Sequence, residues 1–240
     1  MNILILQHAR CEHPGRFREF LAEDGHQTTT VEVDEGEALP PLDGFDALWV
    51  MGGPMDVWEE DKHPWLAAEK AFIRKAVEER GMPFLGLCLG HQLLAEALGG
   101  TVRKSVTPEV GVMDVQLTEV GAEGVLFDDM PGIFKALQWH GAEVSQMPAG
   151  AQCLATSPDC AVQAMSWQNT AYSVQFHIEI EDDTVQTWAE IPEYAESLRA
   201  ALGENGPAEL AASCAAEMPN FARMAERFYM NWLQTAARRW

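Results

Sequence analysis

The sequence predicts an α/β fold: a mixed, mainly parallel sheet flanked by helices, with extra helices at the C-terminal end. Through the first hundred residues, apolar strand-like runs alternate with amphipathic helical stretches, the rhythm of parallel strands with covering helices. A strand pattern (Met82 to Leu87) runs straight into a helical one (Leu89 to Leu98) with no room for a loop. After Gly100 short strands joined by turns take over, and helical periodicity returns only near Asp182.

In order, residues 2–7 form an apolar first strand and 15–23 a short amphipathic helix. Residues 27–33 are β-branched and strand-like, and an acidic, proline-containing turn leads from them to Asp43. Residues 47–51 make a buried strand that stops at Gly52-Gly53-Pro54. Trp65, Ala68, Phe72, Ile73 and Ala76 recur at helical spacing, which predicts a helix over 65–79 that ends at Gly81. Residues 101–103, 111–117, 133–138, 151–155, 161–166 and 172–176 read as short strands. Residues 192–202 and 207–237 read as helices, the second broken near Pro219. One domain over 1–190 is expected, with a helical extension over 191–240 packed on it.

The 240 residues suit one α/β domain with a modest addition, and 47% apolar residues suffice for a sizeable core. A formal charge of −21, from 37 acidic against 16 basic residues, repels phosphate backbones, so nucleic acid is not an expected partner. No stretch approaches the roughly 18–20 apolar residues of a membrane span. The start, Met-Asn-Ile-Leu-Ile-Leu, lacks the basic flank and cleavage site of a secretory signal. A cytoplasmic protein with no membrane partner is expected. Five cysteines (Cys11, Cys88, Cys153, Cys160, Cys214), odd in number and without a Cys-x-x-Cys pair, argue against a disulfide framework. The nearest metal-like pattern, His8-x-x-Cys11-x-His13, has no second cluster to complete four ligands, so neither metal nor cofactor is expected.

Cys88 sits at the strand-to-helix pivot between Gly86 and Gly90. This is the pattern of a nucleophile elbow with Cys in place of Ser. The helix that follows points its N-terminus at the sulfur, which favours thiolate over thiol. A nucleophile of this kind needs a base and a group to orient that base. His177 ends an apolar strand and Glu179 follows two residues on; in extended chain the two project from one face. His91, His140, His8 and His13 are weaker candidates, and His26 and His63 read as loop residues. For an oxyanion, the N–H of Leu89 at the helix start offers one donor, and Gly53, at the end of a neighbouring strand, offers a second.

Met51-Gly-Gly-Pro-Met55, Gly86-Leu-Cys-Leu-Gly-His-Gln92 with its continuation to Gly100, and Val174-Gln-Phe-His-Ile-Glu179 together resemble the class I glutamine amidotransferases over about residues 1–190. The chain looks most like stand-alone proteins related to the glutaminase domain of GMP synthase. The resemblance implies a flavodoxin-like sheet and a glutaminase that works through a thioester. Cys88 attacks the side-chain amide of glutamine, His177 protonates the departing ammonia and then activates water, and Glu179 orients His177. Gly53 and Leu89 hold the oxyanion, while Gly52, Gln92, His140 and Gly141 fall at positions that bind the substrate.

Two departures stand out. Ile178 replaces the proline usual between the histidine and the glutamate, and Ala142 stands where His-Gly-Asp would place a carboxylate, leaving Glu143 as a substitute. The chain has no Gly-x-x-x-x-Gly-Lys-Ser/Thr loop, so activation of an acceptor with ATP falls to a separate synthetase subunit. Residues past 190 could dock such a synthetase, complete the fold or form a homodimer. Two other functions compete: a γ-glutamyl peptidase or hydrolase with the same three residues, and a non-catalytic binding protein on the same fold.

Overall fold

In β1 (Asn2–Gln7), Ile3, Leu4, Ile5 and Leu6 are all buried, so the strand needs cover on both faces and takes an interior place in a parallel group. It pairs with β2 (Gln27–Glu32), an edge strand whose threonines stay exposed, and with β3 (Ala47–Val50). β4 (Phe84–Leu87) and β9 (Ala171–Val174) extend the group in parallel. Beyond β9 the sheet turns antiparallel through β8 (Ala164–Trp167), β7 (Ala151–Thr156), β5 (Thr101–Leu117) and β6 (Ile133–Gln146). The computed structural model thus holds one nine-stranded mixed sheet, in the order β2-β1-β3-β4-β9-β8-β7-β5-β6. It describes residues 1–237; residues 238–240, the end of the expected extension, lie outside the described residues.

Alternation along the strands splits the core in two. Leu4, Leu6, Leu48, Val50 and Phe84 face one layer, with apolar residues of α2 (Trp65–Arg74) and α3 (Leu89–Ala97). Ile3, Ile5, Trp49, Leu85 and Leu87 face the other, with α1 (Phe17–Glu23) and the C-terminal helices. α2 continues into a π-helical turn over Lys75–Glu79, which completes the helix expected over 65–79.

Several expectations change. The predicted pieces at 101–103 and 111–117 are one strand, β5, which carries Pro108 at a register shift between Lys104 and Glu109, where a proline is tolerated in a sheet. Its partner β6 likewise runs well past the predicted end at 138. A short helix, α4 (Glu119–Glu123), capped by the Thr118 side chain on the Gly121 N–H, and a 3-10 turn at Val125–Phe127 precede the region where helix was expected to return.

At the C-terminal end α5 (Thr184–Trp188) and α6 (Pro192–Leu202) precede α7 (Gly206–Ala237). α7 runs unbroken through Pro219, because burial of Phe221, Phe228 and Trp232 outweighs one lost backbone bond. Trp232 sits edge-on to Trp49 with centroids 5.0 Å apart, and its Nε1 donates to the Phe84 carbonyl at 3.2 Å. The Tyr229 hydroxyl reaches Asp24 at 2.8 Å. Through Trp232, α7 contacts β3 and β4.

Candidate active site

Cys88 links β4 to α3 with φ of +50°, a left-handed conformation that costs a non-glycine residue about 1–3 kcal/mol. Its N–H donates to the Val174 carbonyl at 2.8 Å, and the Gly90 N–H donates to the Met51 carbonyl at 3.1 Å. These bonds press the elbow against the ends of β3 and β9. The flanking glycines are a steric need: a Cβ on Gly86 would lie 2.6 Å from the Gly90 carbonyl oxygen, and one on Gly90 would run into the Val50 carbonyl. α3 starts at Leu89, whose N–H belongs to the first turn and has no acceptor within the helix.

His177 lies just beyond β9, where a reciprocal pair of backbone bonds with Leu137 of β6 (3.0 and 2.9 Å) pins it. Its Nδ1 is 2.6 Å from Glu179 Oε1, the same-face contact expected from i,i+2 spacing. Glu179 Oε2 accepts the Ile178 N–H at 2.9 Å. The residue that replaces proline therefore supplies a donor proline lacks, and both oxygens of the glutamate are held. The Trp188 ring packs edge-on against the imidazole, centroids 4.7 Å apart. Burial pushes the His177 pKa down, but the Glu179 carboxylate and the nearby Cys88 outweigh it and leave the imidazolium favoured well above its ordinary range.

A cavity of about 720 Å³ opens beside Cys88. Gly53, Leu89, Gln92, His140, Gly141 and Ala142 all border it. Gly52 does not: its carbonyl accepts from His8 Nδ1 at 2.8 Å, and Glu12 covers it so closely that a Cβ would strike Oε2. His8 in turn faces Glu69 at 2.9 Å in a fully buried pair. Burial disfavours the His8 cation, yet Glu69 more than offsets this and raises its pKa. Gln92 donates to Gln175 Oε1 at 3.1 Å, and Gln175 Nε2 lies 3.4 Å from Cys88 Sγ.

Glu143 does not take the place of the missing aspartate. It pairs with Arg103 at 2.9 Å on the face of β6 opposite Ala142. The carboxylate beside His140 is Glu109 instead. His140 Nδ1 bonds the Ala142 carbonyl at 2.9 Å, and Nε2 is 3.0 Å from Glu109 Oε2, within ion-pair range but outside hydrogen-bond geometry. Glu109 also accepts from Ser157 and Gln163, each at 2.7 Å. Among the described residues, Glu109, His140 and Cys160 form the one group whose ligand atoms lie close enough for a metal ion, within 4.8 Å of one another. Burial pushes the Cys160 thiol up to about 12, so it stands as a neutral thiol. His91 is internal: Nδ1 meets Ser173 at 2.8 Å, Nε2 meets the Val162 carbonyl at 3.2 Å, and burial lowers its pKa to about 3.

Four side chains around Cys88 and His177 escape a reading of the sequence. Gln175 continues the alternation Gln175-x-His177-x-Glu179, and that period-2 signal could have found it. Trp188 and Tyr194 come from α5 and α6, and Glu12 from the loop after β1; no local pattern marks them.

The family model for "Glutamine amidotransferase class-I" matches residues 17–186. The chain belongs to this family. Among relatives, the glutamine amidotransferase-like protein YfeJ of Salmonella typhimurium is 33% identical over 190 residues, covering 78% of this chain and 79% of that one. One subunit of a glutamine-hydrolysing GMP synthase from Sulfolobus acidocaldarius is 36% identical over 152 residues, 62% of this chain and 76% of its own. The crystal structure of a glutamine amidotransferase from Methylobacillus flagellatus superposes with a TM-score of 0.85 at 30% identity, over 98% of this chain and 94% of that one. That overlap takes in the helices beyond residue 186, so the class I fold here includes a C-terminal portion outside the matched family region. Among the described residues, no helix is long and apolar enough to cross a membrane.

Proposed function

We propose that this amidotransferase chain hydrolyses the side-chain amide of glutamine through a γ-glutamyl thioester on Cys88. The observation that supports this is the buried His177–Glu179 pair at 2.6 Å, coupled electrostatically to Cys88, which borders the cavity. Sγ attacks the amide carbon while the N–H groups of Gly53 and Leu89 receive the developing oxyanion. The C–N bond breaks as His177 gives its proton to the departing ammonia. The now neutral His177 takes a proton from water, whose oxygen displaces sulfur and releases glutamate. Glu179 keeps the ring oriented throughout. Lys104, cross-strand from Ala142 and bordering the cavity, is the basic side chain placed to meet the substrate's α-carboxylate.

The kinship with one subunit of a GMP synthase supports an ammonia acceptor on a separate synthetase. In this reading residues 1–190 carry the chemistry, and the helices beyond 190 complete the cavity wall.

One observation favours a second reading, hydrolysis of a larger γ-glutamyl amide. The cavity extends to Ser197, Ala201 and Leu202 of α6, and its volume falls in the range of pockets that hold ligands bigger than one amino acid, about 300–1,000 Å³. Two measurements decide. Incubation with 6-diazo-5-oxo-norleucine should add one adduct, mapped to Cys88 by mass spectrometry. No adduct on folded protein would favour a binding role. Assayed side by side, free glutamine should turn over; turnover of γ-glutamyl peptides alone would replace the first reading with the second.

A further inference from the structure

Glu12 is a buried carboxylate that the three-residue mechanism leaves unused. It sits on the loop that joins β1 to α1, and this loop is clamped onto the segment that carries His177. The Arg16 N–H donates to the Glu179 carbonyl at 2.8 Å, and Arg16 Nε donates to the Ile180 carbonyl at 3.1 Å. Trp188, whose ring abuts His177, donates through Nε1 to the Cys11 carbonyl at 3.0 Å. On its other side Glu12 Oε1 accepts the Tyr194 hydroxyl. Tyr194 borders the cavity and packs at a tilt against Trp139 and Trp188, with ring centroids 5.4 and 5.8 Å apart. α6, which supplies Tyr194, lies outside the residues matched by the family model.

We propose that Glu12, anchored by Tyr194, is a positioning residue for His177: a second carboxylate that, with Glu179, holds the imidazole as its cation beside Cys88. The inference rests on the amidase reading above. The charged and titratable groups around the pair are few. The His177 charge is favoured first by Glu179 on its own segment and by Cys88 at the elbow; Glu12, buried on the β1–α1 loop, feels the His177 charge in turn. Glu12 faces His177, Glu179, His8 and the Tyr194 hydroxyl, with Cys11 beside it. Burial raises the Glu12 pKa, while His177 and Tyr194 pull it back. Burial, then Glu12 and Cys88, push the Tyr194 pKa well above its ordinary value, so its hydroxyl remains a donor.

The sign of the effect follows. Removing the Glu12 charge leaves the imidazolium less favoured, so His177 loses its proton at lower pH. Removing the Tyr194 hydroxyl takes away a donor that stabilises the Glu12 carboxylate, which acts in the same direction and more weakly. At an effective dielectric of about 20, a charge about 12 Å away shifts a neighbour by about one pH unit, and a nearer one by more.

Iodoacetamide is the probe, with the Cys88 peptide quantified by mass spectrometry across pH. In a thiolate–imidazolium pair the alkylation rate rises in two steps, and the upper one reports His177. Glu12→Gln should move the upper inflection down by about one pH unit, and Tyr194→Phe by less, with KM barely changed because the ring remains. A merely structural role would lower Tm and the rate at every pH without moving the inflection, and an unmoved inflection in folded protein overturns the proposal. If Glu12→Gln fails to fold, Tyr194→Phe carries the test alone. A wild type with only one inflection has no ion pair to position, and two inflections that the variants leave in place show no effect on it; either result overturns the role of Glu12, whereas loss of glutamine turnover and of the Cys88 adduct would overturn the amidase reading.

Discussion

Two buried groups share one composition, each with one cysteine, one histidine and one glutamate, and each sends one member, Cys88 or His140, to the cavity wall. Cys88, His177 and Glu179 gather at the carboxyl ends of parallel strands β4 and β9. Glu109, His140 and Cys160 gather within the antiparallel half. Their backbones differ where their residue types do not. Cys88 occupies a left-handed pivot at a helix start, borders the cavity and has a glutamine side chain on its sulfur. Cys160 sits off the cavity with its thiol on the Val162 carbonyl at 3.6 Å. Glu179 engages one imidazole and one N–H, whereas Glu109 is ringed by Ser157, Gln163 and His140. Composition supplies the reagents; strand ends and helix starts decide which set can meet a substrate.

The sharpest way to break this contrast is to remove each thiol. Cys88→Ala should lower turnover about a thousandfold or more, while Cys160→Ala leaves the rate within severalfold; glutaminase assays on both variants check it. Equal losses would mean that the two groups act as one. The carboxylates come next. Glu179→Gln should cost about 10²- to 10⁴-fold in kcat with little change in stability. Glu109→Gln should do the reverse, leaving kcat near wild type while urea unfolding shows a loss of about 1.5–3 kcal/mol.

The smallest effect compares two histidines. His91 stays neutral in the fold down to about pH 3, whereas the unfolded chain protonates it near 6.5. The unfolded state then holds more protons, and stability falls as pH drops through that window. His177 has the opposite sign: its contribution is full at low pH and fades as pH rises through its raised folded pKa. Between pH 7 and 5 the His91 contribution amounts to about 2 kcal/mol. His91→Gln should therefore flatten the decline in unfolding free energy over that range, as read by urea titration at both pH values.

Legibility in the sequence follows locality. The elbow can be read because Gly86, Cys88 and Gly90 state a steric requirement within five residues, and His177 with Glu179 because strand periodicity fixes their shared face. β5 reads as two pieces because Pro108 and Gly111 look like breakers, and only pairing with β6 reveals the shifted register that tolerates them. The short helix α4 goes unread although Thr118 offers a cap. A break in α7 is expected because the cost of Pro219 is local, while the rings that offset it pack on α1 and β3, far away in sequence. Glu109 stays hidden for the same reason: three segments bring its partners together, and none hints at the others.

The bond between Tyr194 and Glu12 spans 182 positions of the chain. Closing a loop over such a distance costs more chain entropy than a local turn or a neighbouring strand pair does. During synthesis Cys88 leaves the ribosome long before α6 exists to wall its cavity. The wall that α6 gives the cavity, Tyr194 and Ser197 included, is thus the last part of it to be made.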